Sequence, residues 1–202
     1  MVTVRKESSS LATMIRKNRK RTRTGKKDRL RIGRRLDAIV KTDDDAYYEY
    51  GAVEVAKTFR GMKSTKWLTD NLKLAKALHD MLVRLELLVD NRESLVKKLQ
   101  IVGLVNSGLK CQVLRMNHPN GYVSLIKRDQ LYEVPTIIEH LPDLFKLLNS
   151  IWRMKKMISN CAAVVNNRHT SRTEAELFTE LMQSGSVSPP RAAMIPWSYD
   201  TP

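Results

Sequence analysis

The chain has 202 residues, with 36 Lys/Arg against 21 Asp/Glu, a formal net charge of +15. Apolar residues make up 42% and charged residues 28%, which excludes a wholly disordered chain. Eight Gly, seven Pro and two Cys exclude collagen-like and disulfide-scaffold classes. The charge is concentrated: residues 1–35 hold 14 Lys/Arg against Glu7 and Asp28, whereas residues 36–202 carry a net charge of only +3.

Residues 1–45 read as a basic, largely disordered arm without Phe, Trp or a tyrosine. Such a block of like charge repels itself and belongs to interaction tails. Leu11, Met14 and Ile15 follow helical spacing, so a nascent helix over 11–21 is expected, too short to stand alone in water. Residues 46–183 read as a helical domain. Tyr47, Tyr48, Val53, Val55, Ala56 and Phe59 predict a first helix over 45–60, ended by Gly61. The strongest signal lies over 65–90. Trp67, Leu74, Met81 and Leu88 recur every seven residues, as do Leu68, Ala75, Leu82 and Val89. This face is wider than a two-stranded seam, so it predicts packing on several elements, or a homo-oligomer if the rest of the domain leaves part uncovered.

Leu95, Val96, Leu99, Ile101, Val102, Leu104 and Val105 predict a helix over 92–106, ended by Gly108. Residues 110–116 and 122–127 flank a polar turn with Asn120-Gly121, a hairpin signal. Pro142 opens a predicted long helix over 142–166, with Leu144, Leu148, Ile151, Ile158, Cys161 and Val165 as its core stripe and Trp152 and Met154 beside it. Ser171 and Glu174 form a capping box for a last helix over 171–183, with apolar Leu177, Phe178, Leu181 and Met182. Residues 184–202 read as a Pro/Ser-rich flexible tail. The expected fold is therefore mainly α: about five helices and one hairpin behind a flexible arm.

The arm carries Arg16, Lys17, Arg19, Lys20, Arg21 and Arg23, then Lys26, Lys27, Arg29, Arg31, Arg34 and Arg35. Guanidinium forks bind phosphate oxygens, and each neutralised phosphate releases counterions. These residues are the candidate nucleic-acid contacts, with RNA favoured and an import receptor as a further partner of the same cluster. Without aromatic side chains to stack on bases, recognition is expected to be electrostatic and independent of sequence. Lys146, Arg153 and Lys156 share one face of the long helix and would extend that surface. Leu11, Met14, Ile15, Leu30, Ile32 and Leu36 lie among the cations and support an alternative, a matrix-like protein whose arm touches anionic membrane. Trp197 in the tail is a candidate partner anchor.

Catalytic signatures are missing: no nucleophile elbow, phosphate-binding Gly loop or dinucleotide fingerprint occurs. Cys111, His118, Cys161 and His169 lack the spacing of a zinc clip. An enzymatic reading would need His79, Asp80 and His140 to converge in one pocket. The expectation is a non-enzymatic protein with no cofactor and no small-molecule substrate. Two isolated cysteines suit a reducing compartment, and no apolar run reaches the length of a membrane span, so nucleus or cytoplasm is expected. The arm-plus-domain layout resembles that of small viral accessory, capsid and RNA-binding proteins, a likeness of layout with no matched motif.

Overall fold

The computed structural model describes residues 2–19, 29–42, 47–119, 123–167 and 196–198. Where one apolar stripe persists over many turns, helices form as the periodicity requires. Helix α2 spans Thr65–Leu88, with Ser64 at its N-cap accepting from the Trp67 amide. Trp67, Leu74, Leu78, Met81, Leu82 and Leu85 of α2 are buried. The other long helix among the described residues, α4, spans Leu141–Asn166 with Pro142 in its first turn. The shorter α1 covers Leu11–Asn18 and α3 covers Glu93–Val96.

The expected mainly α domain is overturned by the sheet between these helices. Among the described residues seven strands form: β1 (Val2–Ser9), β2 (Arg35–Thr42), β3 (Glu49–Ala56), β4 (Gln100–Ser107), β5 (Lys110–Asn117), β6 (Leu125–Arg128) and β7 (Tyr132–Glu133). Their order is β1-β2-β3-β4-β5-β6, with β7 also paired to β5. All neighbours are antiparallel except β3 and β4, which run parallel. Parallel neighbours need a crossover, and α2 supplies it. This is an α/β fold. The helix expected over 45–60 is β3, and of the one expected over 92–106 only Glu93–Val96 is helical, as α3, while its second half is β4. The flexible arm expected over 1–45 contributes β1, α1 and β2 to the fold. The hairpin expected at 110–127 is present as β5 and β6, with Asn117 opposite Leu125. The helix expected over 171–183 lies outside the described residues, as does the tail apart from residues 196–198.

Both faces of the central strands are covered, which is why they read as continuous apolar runs. A Cβ on Gly103 of β4 would lie 2.8 Å from Leu78 and 2.9 Å from Leu74, so this face carries α2. Cys111, Val113 and Val102 alternate onto the other face and are buried. There α4 lies against β3, β4, β5 and β7, and the Cys161 thiol meets the Gln100 backbone amide. Gly108, with φ of 56°, turns β4 into β5, a left-handed conformation that suits glycine at a two-residue hairpin; it ends no helix.

Among the described glycines, Gly33 permits the closest approach. A Cβ there would lie 1.9 Å from the Ser10 carbonyl oxygen and 3.0 Å from Thr13 Oγ1. The neighbouring Ser10 amide donates to the Arg34 carbonyl at 2.9 Å, tying the start of α1 to the start of β2. Backbone cannot yield as a flexible side chain does, so Gly33→Ala is expected to cost ~1–3 kcal/mol. A lowered urea midpoint at unchanged slope is the readout.

Candidate nucleic-acid interface

Helix α1 has no acid in its own first turn; a distant one serves instead. Buried Glu49 of β3 accepts from the Leu11 amide at 2.7 Å, the Ala12 amide at 2.9 Å and the Ser10 hydroxyl at 2.9 Å. A carboxylate on exposed helix N–H groups is favoured by hydrogen bonding and by the helix dipole. Burial still pushes the Glu49 carboxyl above its ordinary value, against the pull of those bonds.

At the other end of α1 the chain enters its most basic stretch. Residues 19–31 hold eight Lys/Arg against one acid, Asp28. Both ends of this stretch are held by one side chain. Asn18 Nδ2 donates to the Arg31 carbonyl at 2.9 Å, and Asn18 Oδ1 accepts from the Arg31 amide at 2.9 Å. Asn18 Nδ2 also donates to the Met14 carbonyl at 2.7 Å, which fixes the side chain on the helix. Lys17 Nζ adds a bond to the Ile32 carbonyl at 3.1 Å. The cations therefore sit on a connection closed at its base between α1 and β2.

The sequence-predicted contacts separate into groups. Arg19, Arg29, Arg31 and Arg35 are exposed. Arg16 turns inward, its Nε 2.8 Å from Asp80 Oδ2 of α2. Arg34 donates to the Lys73 carbonyl of α2 at 2.9 Å. Lys20, Arg21, Arg23, Lys26 and Lys27 lie outside the described residues. Lys146 pairs with Asp143 at 2.8 Å on the surface of α4, lowering the carboxyl and raising the amine from their ordinary values. Arg153 and Lys156 are exposed on the same helix. Since α1 packs on α2 and α4 covers the opposite face of the sheet, the fold does not bring the α4 cations to the loop.

Trp197 is half-buried. Beside it, the Ser198 hydroxyl and amide donate to Asp80 Oδ1 at 2.7 and 3.2 Å. His79 lies near the same carboxylate, with Nδ1 at 4.0 Å from Asp80 Oδ1. His140 stands elsewhere, at the start of α4, 3.9 Å from Asp143. The three residues of the enzymatic reading thus do not converge. Cys111 and Cys161 are both free and buried, and burial pushes each thiol up to about 11, which removes thiolate reactivity. His169 lies outside the described residues, and among those described no group of three or more His, Cys, Asp or Glu side chains is arranged to hold a metal. No described helix is long and apolar enough to cross a membrane.

Sequence reasoning missed Asn18 and Glu49, and it named Asp80 only for an enzymatic reading. Asn18 had a signal: it is the one uncharged residue in the run from Arg16 to Arg21. Glu49 and Asp80 act on partners 37 to 118 residues away in sequence, a separation that local periodicity does not report. The chain matches no protein-family model, no curated protein and no solved structure.

Proposed function

We propose that this is a non-enzymatic nucleic-acid-binding protein whose contact element is the loop between α1 and β2. The observation that carries this reading is the density of cations on a connection pinned at both ends by Asn18. A closed loop loses less conformational freedom on binding than a free tail of equal charge. Its contacts are Arg19, Lys20, Arg21, Arg23, Lys26, Lys27, Arg29 and Arg31 on backbone phosphates, with guanidinium planes available to unpaired bases. Arg16 and Arg34 hold the loop's base to α2 and leave the phosphates to the others.

The test is binding of labelled single-stranded RNA across a salt series. Replacing Lys26, Lys27, Arg29 and Arg31 by Gln should weaken binding tenfold to a hundredfold at moderate salt. The slope of log K against log salt should shrink by ~0.7 per lost contact. Unchanged affinity and slope would overturn the reading.

One observation favours a second reading, contact with an anionic membrane. Leu30 and Ile32 are exposed between and beside Arg29 and Arg31, and apolar side chains among cations suit a headgroup boundary. Leu36, by contrast, is buried in the core and drops out of that set. Sedimentation with phosphatidylserine vesicles but not with neutral ones, together with loss of sedimentation in Ile32→Ser, would support the membrane over RNA.

A further inference from the structure

Helix α4 is apolar on two sides. Leu147, Ser150, Ile158, Cys161, Ala162 and Val165 face the sheet and are buried. On the opposite side Leu141, Phe145 (64% exposed), Leu148 and Trp152 (66%) stand in solvent, and Ile138 (84%), in the 3-10 turn Ile138–His140 just before α4, prolongs the row. Their spacing is three, four, three and four residues, the repeat of a two-helix seam. Large aromatic side chains exposed to this degree in a contiguous row mark an interaction surface.

We propose that this stripe is the seat of a second copy of this chain, the same face of α4 meeting itself across a two-fold axis. Three observations favour a copy over a different partner. The stripe is self-complementary in kind: side chains spaced at three and four residues interdigitate with an identical row. The positions flanking it on a paired helix are Ile137, Pro142, Leu144, Asn149 and Ile151. None is charged; the cation at the row's end is Lys155, its Nζ 5.1 Å from the Trp152 ring centroid, and an antiparallel pairing keeps the two copies' Lys155 side chains apart. Charged Glu139, Asp143, Lys146 and Arg153 lie outside this strip, as the polar rim of an interface does. The exposed apolar side chains from Ile137 to Trp152 present on the order of 800 Å², the area each partner contributes to a standard-size interface.

The helix expected to drive association from the sequence is α2, but the sheet covers most of its apolar face. Leu68, Leu72 and Leu87 of α2 stay exposed, but the longer uncovered apolar row is on α4, across the sheet from α1. A dimer built there leaves the α1 side of each copy uncovered, and two cationic segments on one particle bind a long polyanion with avidity.

The test is the mass of the full chain by sedimentation equilibrium, after nuclease treatment and at high salt, so that bound polyanion adds nothing. The wild type should be a dimer at micromolar concentrations. Phe145→Glu and Trp152→Glu should each raise the dissociation constant about a hundredfold. Both side chains face solvent, so the variants should keep the wild-type circular dichroism spectrum. A chain still monomeric at about 100 µM overturns the proposal, because an interface of this area binds at micromolar strength or better; the stripe is then covered by another segment or partner. A dimer whose mass neither substitution changes overturns it equally. Neither outcome bears on RNA binding by the loop, which is read in a separate titration.

Discussion

Asp80→Ala is expected to destabilise the protein by ~3–5 kcal/mol, the cost of removing one partner from a buried ion pair. The Asp80 side chain is 1% exposed and that of Arg16 is 7% exposed. Three stretches of chain meet at this carboxylate: α1 through Arg16 Nε at 2.8 Å, α2 through Asp80 itself, and the C-terminal stretch through both the amide and the hydroxyl of Ser198. Truncation leaves a guanidinium inside the fold without its carboxylate, and it releases Ser198. Against a total stability of ~5–15 kcal/mol, the loss is large enough to lower the urea midpoint steeply. Arg16→Ala should cost a similar amount, by stranding the carboxylate instead. The double variant Arg16→Met with Asp80→Leu should recover most of the loss, since an apolar pair replaces an ionic one of similar volume. Nucleic-acid binding by folded Arg16→Ala should stay within a few-fold of wild type. A stable Asp80→Ala protein, or an Arg16→Ala protein that is stable but no longer binds RNA, would assign Arg16 to the surface contact and not to the fold.

Arg16 shows where the sequence stops being legible. Net charge per segment is additive and needs no fold, so the concentration of cations before residue 36 is visible at once. Which cations point inward depends on partners such as Asp80, 64 residues away, and the Lys73 carbonyl, 39 residues from Arg34. The long helices were legible for the opposite reason: α2 repeats one apolar face for 24 residues, and no strand sustains that period. The register of α4 was not, because its first half is apolar on both sides. Leu148 and Ile151 fit a core stripe by spacing, yet they are exposed, and Leu147 and Ser150 take the buried positions.

The central strands failed differently. Ile101 to Val105 is an apolar run buried on two faces, and such a run has no period to read. One residue spoke against a helix there. Gly103 in a helix interior costs about 1 kcal/mol relative to Ala, whereas in a strand it opens room for Leu74 and Leu78 of α2 to approach the backbone. Gly51 does the same between strands: a Cβ there would lie 2.6 Å from the Val102 carbonyl oxygen. Glu49 and Glu54 of β3 find partners that their local sequence does not announce. Both are buried, one capping α1 and the other paired with Lys73 at 2.7 Å.

A second pair under the sheet predicts how stability depends on pH. Glu86 of α2 lies 3.0 Å from Nδ1 of His118, which follows β5, and both side chains are buried. Burial pushes the Glu86 carboxyl from its ordinary 4.5 up to about 8. Below pH 4.5 the carboxyl is protonated whether the chain is folded or unfolded, and the folded state keeps its full advantage at this site. Between 4.5 and 8 the unfolded chain has released the proton while the folded chain still holds it, so stability falls as pH rises. The slope reaches ~1.4 kcal/mol per pH unit for one proton. Above 8 both states are ionised and the loss is complete, roughly 3–5 kcal/mol over the whole window. Glu86→Gln keeps the shape and can donate from its amide to His118 Nδ1, but it cannot titrate. This variant is expected to remove the slope between pH 5 and 8 and to be more stable than wild type at pH 8. Urea midpoints measured at half-unit intervals decide it. A wild-type profile flat across this window, or a slope that persists in Glu86→Gln, would place the proton on another group. The direction follows from burial of the Glu86 carboxyl, which favours its uncharged form.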